Sequence, residues 1–511
     1  MDDSSTGYPN PLIPGFNPDP SVITVGDEYF LVTSSFEYLP AIPVYRSRDF
    51  VEWTQIGNIS SSAQELGLSA VPTSGGVWAP TIRYRDGTFY VIVTIAMGIG
   101  CVLFTAQDPA GPWSPPLPLP AVDGIDPDLA WDDDGVALVT YSALTTDGPT
   151  AGSHHGIRQV RVDLATGLGL DGPRDLWAGT GLMFPEAPHL YRRGDWWYLL
   201  LAEGGTERGH AVSIARSRRP DGGFEGYAAN PFLSARSTSR PIQCTGHGDL
   251  VQTPDGGTAM VLLGVRPRGT TRAFSALGRE TFVTTVRWVD DWPVAEPVEL
   301  RPRSGPTQYR IDFADPGSPG LDHGWLAVRR DTGSVASLTR RPGWLVIEAD
   351  GSTLDDPRPC FLGRRQLNQT ADVSALVDAS AGSGGLAVRY DEEHHYSIET
   401  RVVDGQNLVT ARARLARLEQ TWQASLPGGP VELHVDAVPG PRGYNIPGAM
   451  TSDLVRLRAV AGDGSSHTLA ELDGRYLSAE TAASFTGRVV GLFASAGSVS
   501  FGSYVYRGSE D

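Results

Sequence analysis

The chain of 511 residues contains no lysine, so all 41 of its basic residues are arginine. The absence of lysine excludes Schiff-base catalysis and the phosphate-binding lysine of a P-loop. Positive charge is scarce overall, because 59 acidic residues give a net charge of −18. A chain with this balance has no basic excess to pair with phosphates, and we therefore expect no nucleic-acid partner.

Cysteine is also scarce, since only Cys101, Cys244 and Cys360 occur and no two of them form a CxxC pair. This odd, widely spaced set indicates neither a disulfide framework nor a structural zinc site. No run of 18 apolar residues appears, which predicts no membrane span. Residues 1–5 lack the basic region and apolar stretch of a secretory signal. We therefore expect a cytoplasmic protein, while noting that a secreted enzyme after trimming has the same appearance.

Glycine and proline, in contrast, are abundant, with 60 and 39 residues. Hydrophobic residues make up 40% of the chain, which is ample for large cores. Many short runs of valine, isoleucine and aromatic residues lie between the glycines and prolines. This pattern predicts an all-β chain rich in turns, and its length predicts two or more domains.

The first 300 residues contain a fivefold internal repeat. Each repeat has a short apolar strand, a turn with glycine, and then a strongly apolar run such as residues 29–32 or 196–200. The turn glycines are Gly26, Gly87, Gly135, Gly194 and Gly256. Their spacing fits one four-stranded sheet per repeat, as in the blade of a propeller. We therefore predict a five-bladed β-propeller.

The residues that enter the first strand of each repeat carry reactive or aromatic side chains. They are Asp19, Trp78, Asp126, Glu186 and His247. A single aspartate before proline is more often a turn former than a catalyst. However, the innermost strands of a propeller line its axis, so equivalent positions converge on one end of the channel. We therefore expect three carboxylates, an indole and an imidazole to meet in one pocket.

Carboxylates in different environments indicate glycoside hydrolysis. One must be protonated to assist the leaving oxygen, and another must be ionised to activate water or attack the sugar. Glu186 lies among apolar neighbours at 184–188, which raise its pKa and suit it to donate a proton. The third carboxylate of the set is suited to orient the acid and to raise its pKa through like charge. Candidate sugar-contacting residues are Phe36, Tyr38, Trp78, Trp131 and Arg279.

Several motifs resemble glycoside hydrolase family 43, and more narrowly its two-domain β-xylosidases and α-L-arabinofuranosidases. In chain order they are Asn10-Pro11-Leu12-Ile13, Asn17-Pro18-Asp19-Pro20, Trp78-Ala79-Pro80, Gly124-Ile125-Asp126-Pro127, Glu186-Ala187-Pro188-His189, Gly246-His247 and Gly278-Arg279-Glu280-Thr281. The resemblance covers nearly the whole chain. It implies a five-bladed propeller that inverts anomeric configuration in a single displacement by water.

The resemblance also implies roles for individual residues. Asp19 is the general base, Glu186 the general acid, Asp126 the residue that orients the acid and modulates its pKa, and Arg279 a substrate contact. An inverting enzyme separates its two carboxyl groups by roughly 6.5–9.5 Å. His247 matches a histidine near the propeller axis that contacts substrate and, in several members, helps to hold calcium or another ion through waters. No cofactor is required for the chemistry.

The repeat stops at a proline-, arginine- and glycine-rich stretch at 299–306, which is typical of a linker. We therefore place the propeller at residues 1–305 and a second domain at 306–511. Short β runs between turns predict a β-sandwich there. The motif Gly363-Arg364-Arg365-Gln366 resembles the jelly-roll-like C-terminal domain of the same enzymes, in which a loop helps to close the pocket. The segment 495–498 is short, which predicts a more open pocket and favours removal of arabinofuranosyl side chains.

The main functional hypothesis is an inverting exo-glycosidase that releases xylose from xylo-oligosaccharides, arabinofuranose from arabinoxylan fragments, or both, with β-xylosidase activity ranked first. One alternative is an α-L-arabinofuranosidase specific for arabinoxylan side chains. Another is a retaining five-bladed enzyme acting on fructans, with carboxyl groups only about 5–5.5 Å apart. A third is a carbohydrate-binding propeller without catalysis. The preferred pentose stays open, and so does assembly as a homo-oligomer.

Overall fold

The computed structural model describes residues 7–145, 149, 152–269, 273–315, 321–441, 451–482 and 484–510. Within these ranges β-strands dominate. The helices are single turns: α1 (Thr332–Val335), α2 (Ala479–Ala482), and the 3₁₀ turns Leu68–Ala70 and Gly474–Tyr476. None of the helices in the described ranges has the length and apolar character needed to cross a membrane.

Residues up to Ala295 form five antiparallel sheets arranged as the blades of a propeller. The first blade comprises β1 (Ser21–Val25), β2 (Glu28–Val32), β4 (Ala41–Ser47) and β5 (Thr54–Ser60). The short strand β3 (Tyr38–Leu39) follows β2 in the sequence but lies outside the blade. The second blade comprises β6 (Gly76–Arg85), β7 (Thr88–Ala96), β8 (Gly100–Ala106) and β9 (Leu117–Pro118). The third comprises β10 (Gly124–Trp131), β11 (Ala137–Leu144), β12 (His154–Val162) and β13 (Arg174–Trp177).

The fourth blade comprises β14 (Glu186–Arg193), β15 (Trp196–Glu203), β16 (Ala211–Ser217) and β17 (Glu225–Gly226), with β18 (Leu233–Ser234) also paired to β16. The fifth is built from β19 (Gln243–Gln252), β20 (Thr258–Val265), β23 (Glu280–Val289) and β24 (Trp292–Ala295), and it carries a small hairpin of β21 (Arg268–Gly269) and β22 (Ala273–Phe274). The predicted five-bladed propeller is therefore confirmed.

The five turn glycines explain why the repeat was visible in the sequence. Each lies between the first and second strands of its blade, and all five have φ between 59° and 82°. Side chains are disfavoured in this left-handed region, which glycine enters freely. The apolar run after each turn forms the second strand, which is almost wholly buried in β7, β11, β15 and β20. Turn chemistry and hydrophobicity thus specify the same hairpin five times.

Carboxylates on the innermost strands tie neighbouring blades together. Asp128 Oδ2 accepts the backbone N–H of Leu190 in the next blade at 2.9 Å. Asp249 Oδ2 accepts the N–H of Val22 at 3.1 Å, which joins the fifth blade to the first. Both carboxylates also pair with Arg83, whose guanidinium lies 2.5 Å from Asp128 Oδ1 and 3.1 Å from Asp249 Oδ2. The Arg83 guanidinium therefore lies inside the propeller, where the carboxylates of Asp128 and Asp249 compensate its positive charge.

The remaining strands form a two-layer β-sandwich. They are β25 (Thr307–Asp312), β26 (Leu326–Val328), β27 (Ala336–Arg341), β28 (Trp344–Glu348), β29 (Phe361–Arg365), β30 (Thr370–Arg389), β31 (His394–Val403), β32 (Gln406–Leu415), β33 (Leu418–Leu426), β34 (Val431–Val438), β35 (Leu454–Val460), β36 (Ser466–Asp473) and β37 (Val489–Ser509). The predicted β-sandwich is confirmed. The predicted division at 305/306 falls between β24 and β25.

Two long strands, β30 and β37, pass through both layers of the sandwich. The first part of β30 pairs with β34, and its last part pairs with β31. The register between β30 and β37 shifts near Gly382 and Gly384, where a Cβ atom would lie within 2.3 Å of the partner backbone. Small residues at this bend let one pair of strands serve both sheets.

The two domains share a sheet edge. Strand β3, from the propeller sequence, pairs antiparallel with β26 of the sandwich. Close by, the buried Arg329 donates through Nε to the carbonyl of Val71 at 2.7 Å, and Asp331 Oδ1 accepts the N–H of Ala63 at 2.8 Å. These contacts fix the sandwich beside the segment that leads from the first blade into the second.

Candidate active site

A left-handed residue interrupts the innermost strand or its entry in every blade. The five residues, with φ between 43° and 56°, are Asp19, Ala79, Asp126, Ala187 and His247. The strand register shifts at this point in the second to fifth blades. A bulge of this kind re-aims side chains at the end of a strand. The prediction that Trp78 and Glu186 are equivalent to Asp19 was therefore wrong by one residue, because Ala79 and Ala187 occupy the left-handed position.

The five residues that were predicted to meet near the propeller axis all line one cavity of about 240 Å³. Its walls include Asp19, Phe36, Trp78, Asp126, Glu186, His247 and Arg279. It also includes residues that the sequence did not single out, namely His154, Phe184, Thr206, Glu207 and Phe485. The volume corresponds to about eight water molecules, which is enough for one sugar ring but not for several. Three carboxylates distant in sequence therefore meet around one small, partly apolar space.

Asp19 is held in its ionised form. Its carboxylate accepts hydrogen bonds from Ser34 Oγ at 2.6 Å and from Arg279 Nη1 at 3.3 Å, and it lies 3.5 Å from His247 Nδ1. Burial alone raises the pKa of Asp19, but Arg279, His247 and Ser34 outweigh burial and hold the pKa below its ordinary value. This arrangement suits a group that must be a base near neutral pH.

The pKa values of Glu186 and Asp126 are raised, in contrast to the lowered pKa of Asp19. Burial, followed by the charges of Asp126 and Asp19, raises the pKa of Glu186 well above its ordinary value. Burial and the charge of Asp19 raise the pKa of Asp126 to about 7. Asp126 Oδ2 also accepts the backbone N–H of Ala187 at 3.1 Å, which favours ionised Asp126. Glu186 is therefore the carboxyl of this pair that is suited to hold a proton.

Arg279 links the carboxylates to the rim of the cavity. In addition to Asp19, its guanidinium donates to Thr206 Oγ1 at 3.0 Å and to the carbonyl of Phe485 at 3.2 Å. Its Nε has no hydrogen-bond partner among the described residues. Arg279 lines the cavity as an almost buried cation, a position suited to contact with a sugar hydroxyl. His247 is neutral near pH 7, because burial lowers its pKa to about 4.

The second domain supplies one wall through Phe485. Its backbone N–H donates to Ser74 Oγ at 3.0 Å, and its ring packs edge-on against Trp78 with centroids 5.7 Å apart. The segment 495–498 lies within β37 and pairs with β30, away from the cavity. The inference of a more open pocket from the shortness of 495–498 was therefore wrong, because the covering segment is a different one. Nothing around Phe485 in the sequence marked it for this position.

The candidate aromatic residues divide into two groups. Trp78 and Phe36 line the cavity, although Phe36 is only 1% exposed and packs near the Arg279 guanidinium. Tyr38 is wholly buried in β3, and Trp131 packs against Tyr90 at the outer end of β10. Neither Tyr38 nor Trp131 lines the cavity, so the prediction that they stack on sugar rings was wrong. Both belong to the packing of the fold.

His154 is one of the polar cavity residues that sequence reasoning missed. Its Nδ1 lies 2.8 Å from Ser142 Oγ, which donates its own proton to the carbonyl of Pro185 at 2.7 Å. Since the serine has no second proton, Nδ1 of His154 is the donor, and Nε2 is left as an acceptor. The ring of Phe184, two residues before Glu186, lies edge-on to His154. The apolar stretch around Glu186 was a signal for Phe184 but not for His154.

The axial residues do not form a set that ligates Ca²⁺ directly. This ion takes six to eight oxygen ligands, whereas His247 offers nitrogen, and its neighbour Asp19 is already bound by Ser34 and Arg279. Arg83 also places a positive charge inside the propeller. In the described ranges, the group of His, Cys, Asp and Glu donors that converges within 4.8 Å is Asp372, His434 and Asp436, in the sandwich. A calcium ion held near His247 through waters stays a prediction.

Comparisons with known proteins agree with this architecture. Residues 8–293 match the family described as Glycosyl hydrolases family 43. Residues 310–506 match the Beta xylosidase C-terminal Concanavalin A-like domain, which gives the sandwich a more specific description than jelly-roll-like.

Individual relatives span nearly the whole chain. A non-reducing end alpha-L-arabinofuranosidase of Bacteroides ovatus is 35% identical over 96% of this chain and 91% of its own length. A xylosidase/arabinosidase of Humicola insolens is 31% identical over 98% of this chain and 97% of its own length. The solved structure of a xylan beta-1,4-xylosidase from Bacillus halodurans has a TM-score of 0.86 at 26% identity and covers 98% of this chain and 100% of its own.

Proposed function

This chain belongs to glycosyl hydrolase family 43, and on that premise we propose that it releases single pentose units from the non-reducing ends of xylo-oligosaccharides and arabinoxylan fragments. Both β-xylosidase and α-L-arabinofuranosidase activities are included, with β-xylosidase ranked first. The activities named for the relatives support this pair of substrates. Because the chain belongs to a family of hydrolases, the alternative of a carbohydrate-binding propeller without catalysis is not favoured.

One observation carries the proposal: the three carboxylates that share the cavity have pKa values displaced in opposite directions. The pKa of Asp19 is lowered, and that of Glu186 is raised well above its ordinary value. Opposite displacement of two titratable groups is how a site assigns one base and one acid at the same pH. A cavity for one sugar ring, walled by Phe485, supports removal of terminal units rather than cleavage within a chain.

The proposed reaction is a single displacement. The Glu186 carboxyl gives its proton to the glycosidic oxygen as the bond from that oxygen to C1 breaks. Asp19 takes a proton from a water molecule whose oxygen forms the new bond to C1. The products are the free pentose, with inverted configuration at C1, and the shortened oligosaccharide, whose new hydroxyl group carries the proton from Glu186. Arg279 contacts the substrate, and the charge of Asp126 keeps Glu186 protonated before the transfer.

A substrate panel with product analysis tests the proposal. We expect release of nitrophenol from both the β-D-xyloside and the α-L-arabinofuranoside, and xylose from xylobiose. Proton NMR during the first turnovers should show α-xylose from β-xylosides. Folded enzyme that releases neither pentose contradicts the substrate class. First-formed β-xylose contradicts inversion and favours the retaining geometry of the fructan hypothesis instead.

Asp126→Asn is expected to shift the alkaline limb of the kcat/KM profile to lower pH by about 1 unit or more. Like charge on Asp126 raises the pKa of Glu186, so its removal lets Glu186 lose its proton earlier as pH rises. The amide oxygen of asparagine still accepts the N–H of Ala187, which preserves the local geometry. A pH–rate profile on one aryl xyloside measures the shift.

The matched control is Asp123→Asn, which removes an exposed carboxylate just before the same strand, outside the cavity. It should leave both limbs in place. An alkaline limb that does not move in Asp126→Asn contradicts the role of Asp126 in raising the acid's pKa.

A further inference from the structure

A second cavity of about 220 Å³ lies between the propeller and the sandwich. It shares no lining residue with the active site. One side is formed by the first blade and the segment before it, through residues such as Trp53 and Gln55. The other side is formed by Tyr309, Arg364 and Arg365 of the sandwich. The motif 363–366, which the resemblance singled out without a function, thus contributes two arginines to this space.

Arg365 is a buried cation without a counter-anion. It is 7% exposed, its Nε donates to the carbonyl of Phe16 at 2.7 Å, and its guanidinium lies 4.5 Å from the centre of the Phe16 ring. Its Nη2 has no hydrogen-bond partner, and no carboxylate of the described residues forms an ion pair with it. Burial lowers its pKa, and the groups that oppose this effect are the tyrosines Tyr45 and Tyr38 rather than a carboxylate. Uncompensated buried charge is costly, so this cation points to an anionic ligand.

The neighbouring Arg364 adds a second positive charge at the rim. Its Nη1 donates to Asp322 Oδ1 at 2.6 Å, and the Asp322 side chain is half exposed. The Arg364 guanidinium also lies 5.1 Å from the centre of the Tyr309 ring. A partner carboxylate that remains in water compensates this charge only weakly. The field at the mouth of the cavity is therefore positive, although the chain as a whole carries a net charge of −18.

The rest of the lining is suited to a sugar rather than to an inorganic anion. Trp53 is a partly buried aromatic residue, against which the C–H face of a pyranose ring can pack, whereas the ring of Tyr309 is stacked on Tyr506 and lies beside Arg364. The amide N–H groups of Gln55 donate to the carbonyl of His323 and to Asn58 Oδ1. The amide oxygen of Gln55, Oε1, accepts no hydrogen bond from a side chain or backbone N–H of the described residues. A ligand with hydroxyl donors and an apolar face uses both features, whereas phosphate or sulfate uses neither.

We propose that this interdomain cavity binds a sugar that carries a carboxylate, namely a hexuronic acid unit. Arg365 receives the carboxylate, Arg364 adds positive charge at the rim, Trp53 packs against the ring, and Gln55 Oε1 accepts a hydrogen bond from a hydroxyl group. The site binds without chemistry and is independent of the carboxylates of the active site. Its occupancy bridges the two domains.

The test uses the full-length enzyme and three probes that separate the parts of the ligand. D-Glucuronate has ring and carboxylate, D-glucose has the ring alone, and acetate has the carboxylate alone. Isothermal titration and saturation-transfer NMR should show glucuronate binding at least about 10-fold more tightly than either of the others. Glucuronate binding should fall with rising salt, because it includes an ionic contact.

Variants then assign the binding to this cavity. Arg365→Gln and Trp53→Ala should each reduce glucuronate affinity at least about 10-fold. Arg240→Gln, which removes one exposed arginine of the fourth-to-fifth blade connection, is the charge-matched control and should bind as the parent does. If thermal melting shows that Arg365→Gln is unfolded, Arg364→Gln replaces it in the same comparison.

Each other result overturns the proposal. Equal binding of acetate shows a simple anion site, and equal binding of glucose shows that the carboxylate is not recognised. Absence of glucuronate binding, or binding that persists in Arg365→Gln and Trp53→Ala, removes the site. Because the readout is binding and not hydrolysis, these outcomes are separate from success or failure of the proposed glycosidase function.

Discussion

Glu186→Gln is expected to lower kcat/KM on xylobiose by about 10²–10⁴-fold, the usual contribution of a positioned general acid. Glutamine has nearly the same shape but cannot give a proton to the leaving oxygen. On a dinitrophenyl xyloside the loss should be far smaller, because that leaving group departs without protonation. Parallel kinetics on the two substrates measure this difference.

Glu207→Gln is the matched control for Glu186→Gln. Glu207 lines the same cavity but is exposed. The loss of kcat/KM in Glu207→Gln should be far smaller than the loss in Glu186→Gln, and it should be the same on xylobiose and on the dinitrophenyl xyloside. Thermal melting should show both variants folded. Equal losses of Glu186→Gln on xylobiose and the dinitrophenyl xyloside would contradict the role of Glu186 as the acid.

The two carboxylates together predict a bell-shaped dependence of kcat/KM on pH. Activity requires ionised Asp19, so it falls as pH drops through the lowered pKa of that group. It also requires protonated Glu186, so it falls as pH rises through the raised pKa of that group. Opposite displacement of the two pKa values widens the active range on both sides. His247, with a pKa of about 4, stays neutral across the middle of that range.

The propeller was predictable because its signals are local and occur five times. Each blade needs one left-handed turn and one buried strand, and glycine followed by an apolar run marks both. The convergence of Asp19, Asp126 and Glu186 then follows from the geometry of a ring of blades. The repeat did not predict the exact position of the bulge in two blades. Ala79 and Ala187 have positive φ there, and alanine is not a residue type that indicates positive φ in a sequence.

Long-range contacts account for what the sequence did not reveal. Phe485 reaches the cavity because the sandwich is fixed beside the first two blades, through β3 and Arg329, and no local pattern encodes that docking. Arg83 looked like one arginine among many, yet it pairs with carboxylates from the third and fifth blades. Tyr38 failed as a stacking candidate for the same reason, since its strand is covered by the other domain.

Asp19→Asn is expected to lower kcat/KM by about 10²–10⁴-fold or more on every substrate, whatever the leaving group. Water must be activated in each turnover, and asparagine cannot accept its proton. The loss on the dinitrophenyl xyloside should therefore match that on xylobiose, unlike the loss in Glu186→Gln. Recovery of Asp19→Asn on the activated substrate would show that Asp19 is not the base.

Ser34→Ala provides the graded version of this experiment, because it leaves the carboxylate in place and removes the 2.6 Å hydrogen bond to Asp19 Oδ2. A hydrogen bond to the ionised form lowers the pKa of Asp19, so losing it raises that pKa. The acid limb of the profile should move to higher pH while the alkaline limb, set by Glu186, stays in place. An acid limb that stays fixed in Ser34→Ala would mean that a group other than Asp19 titrates there.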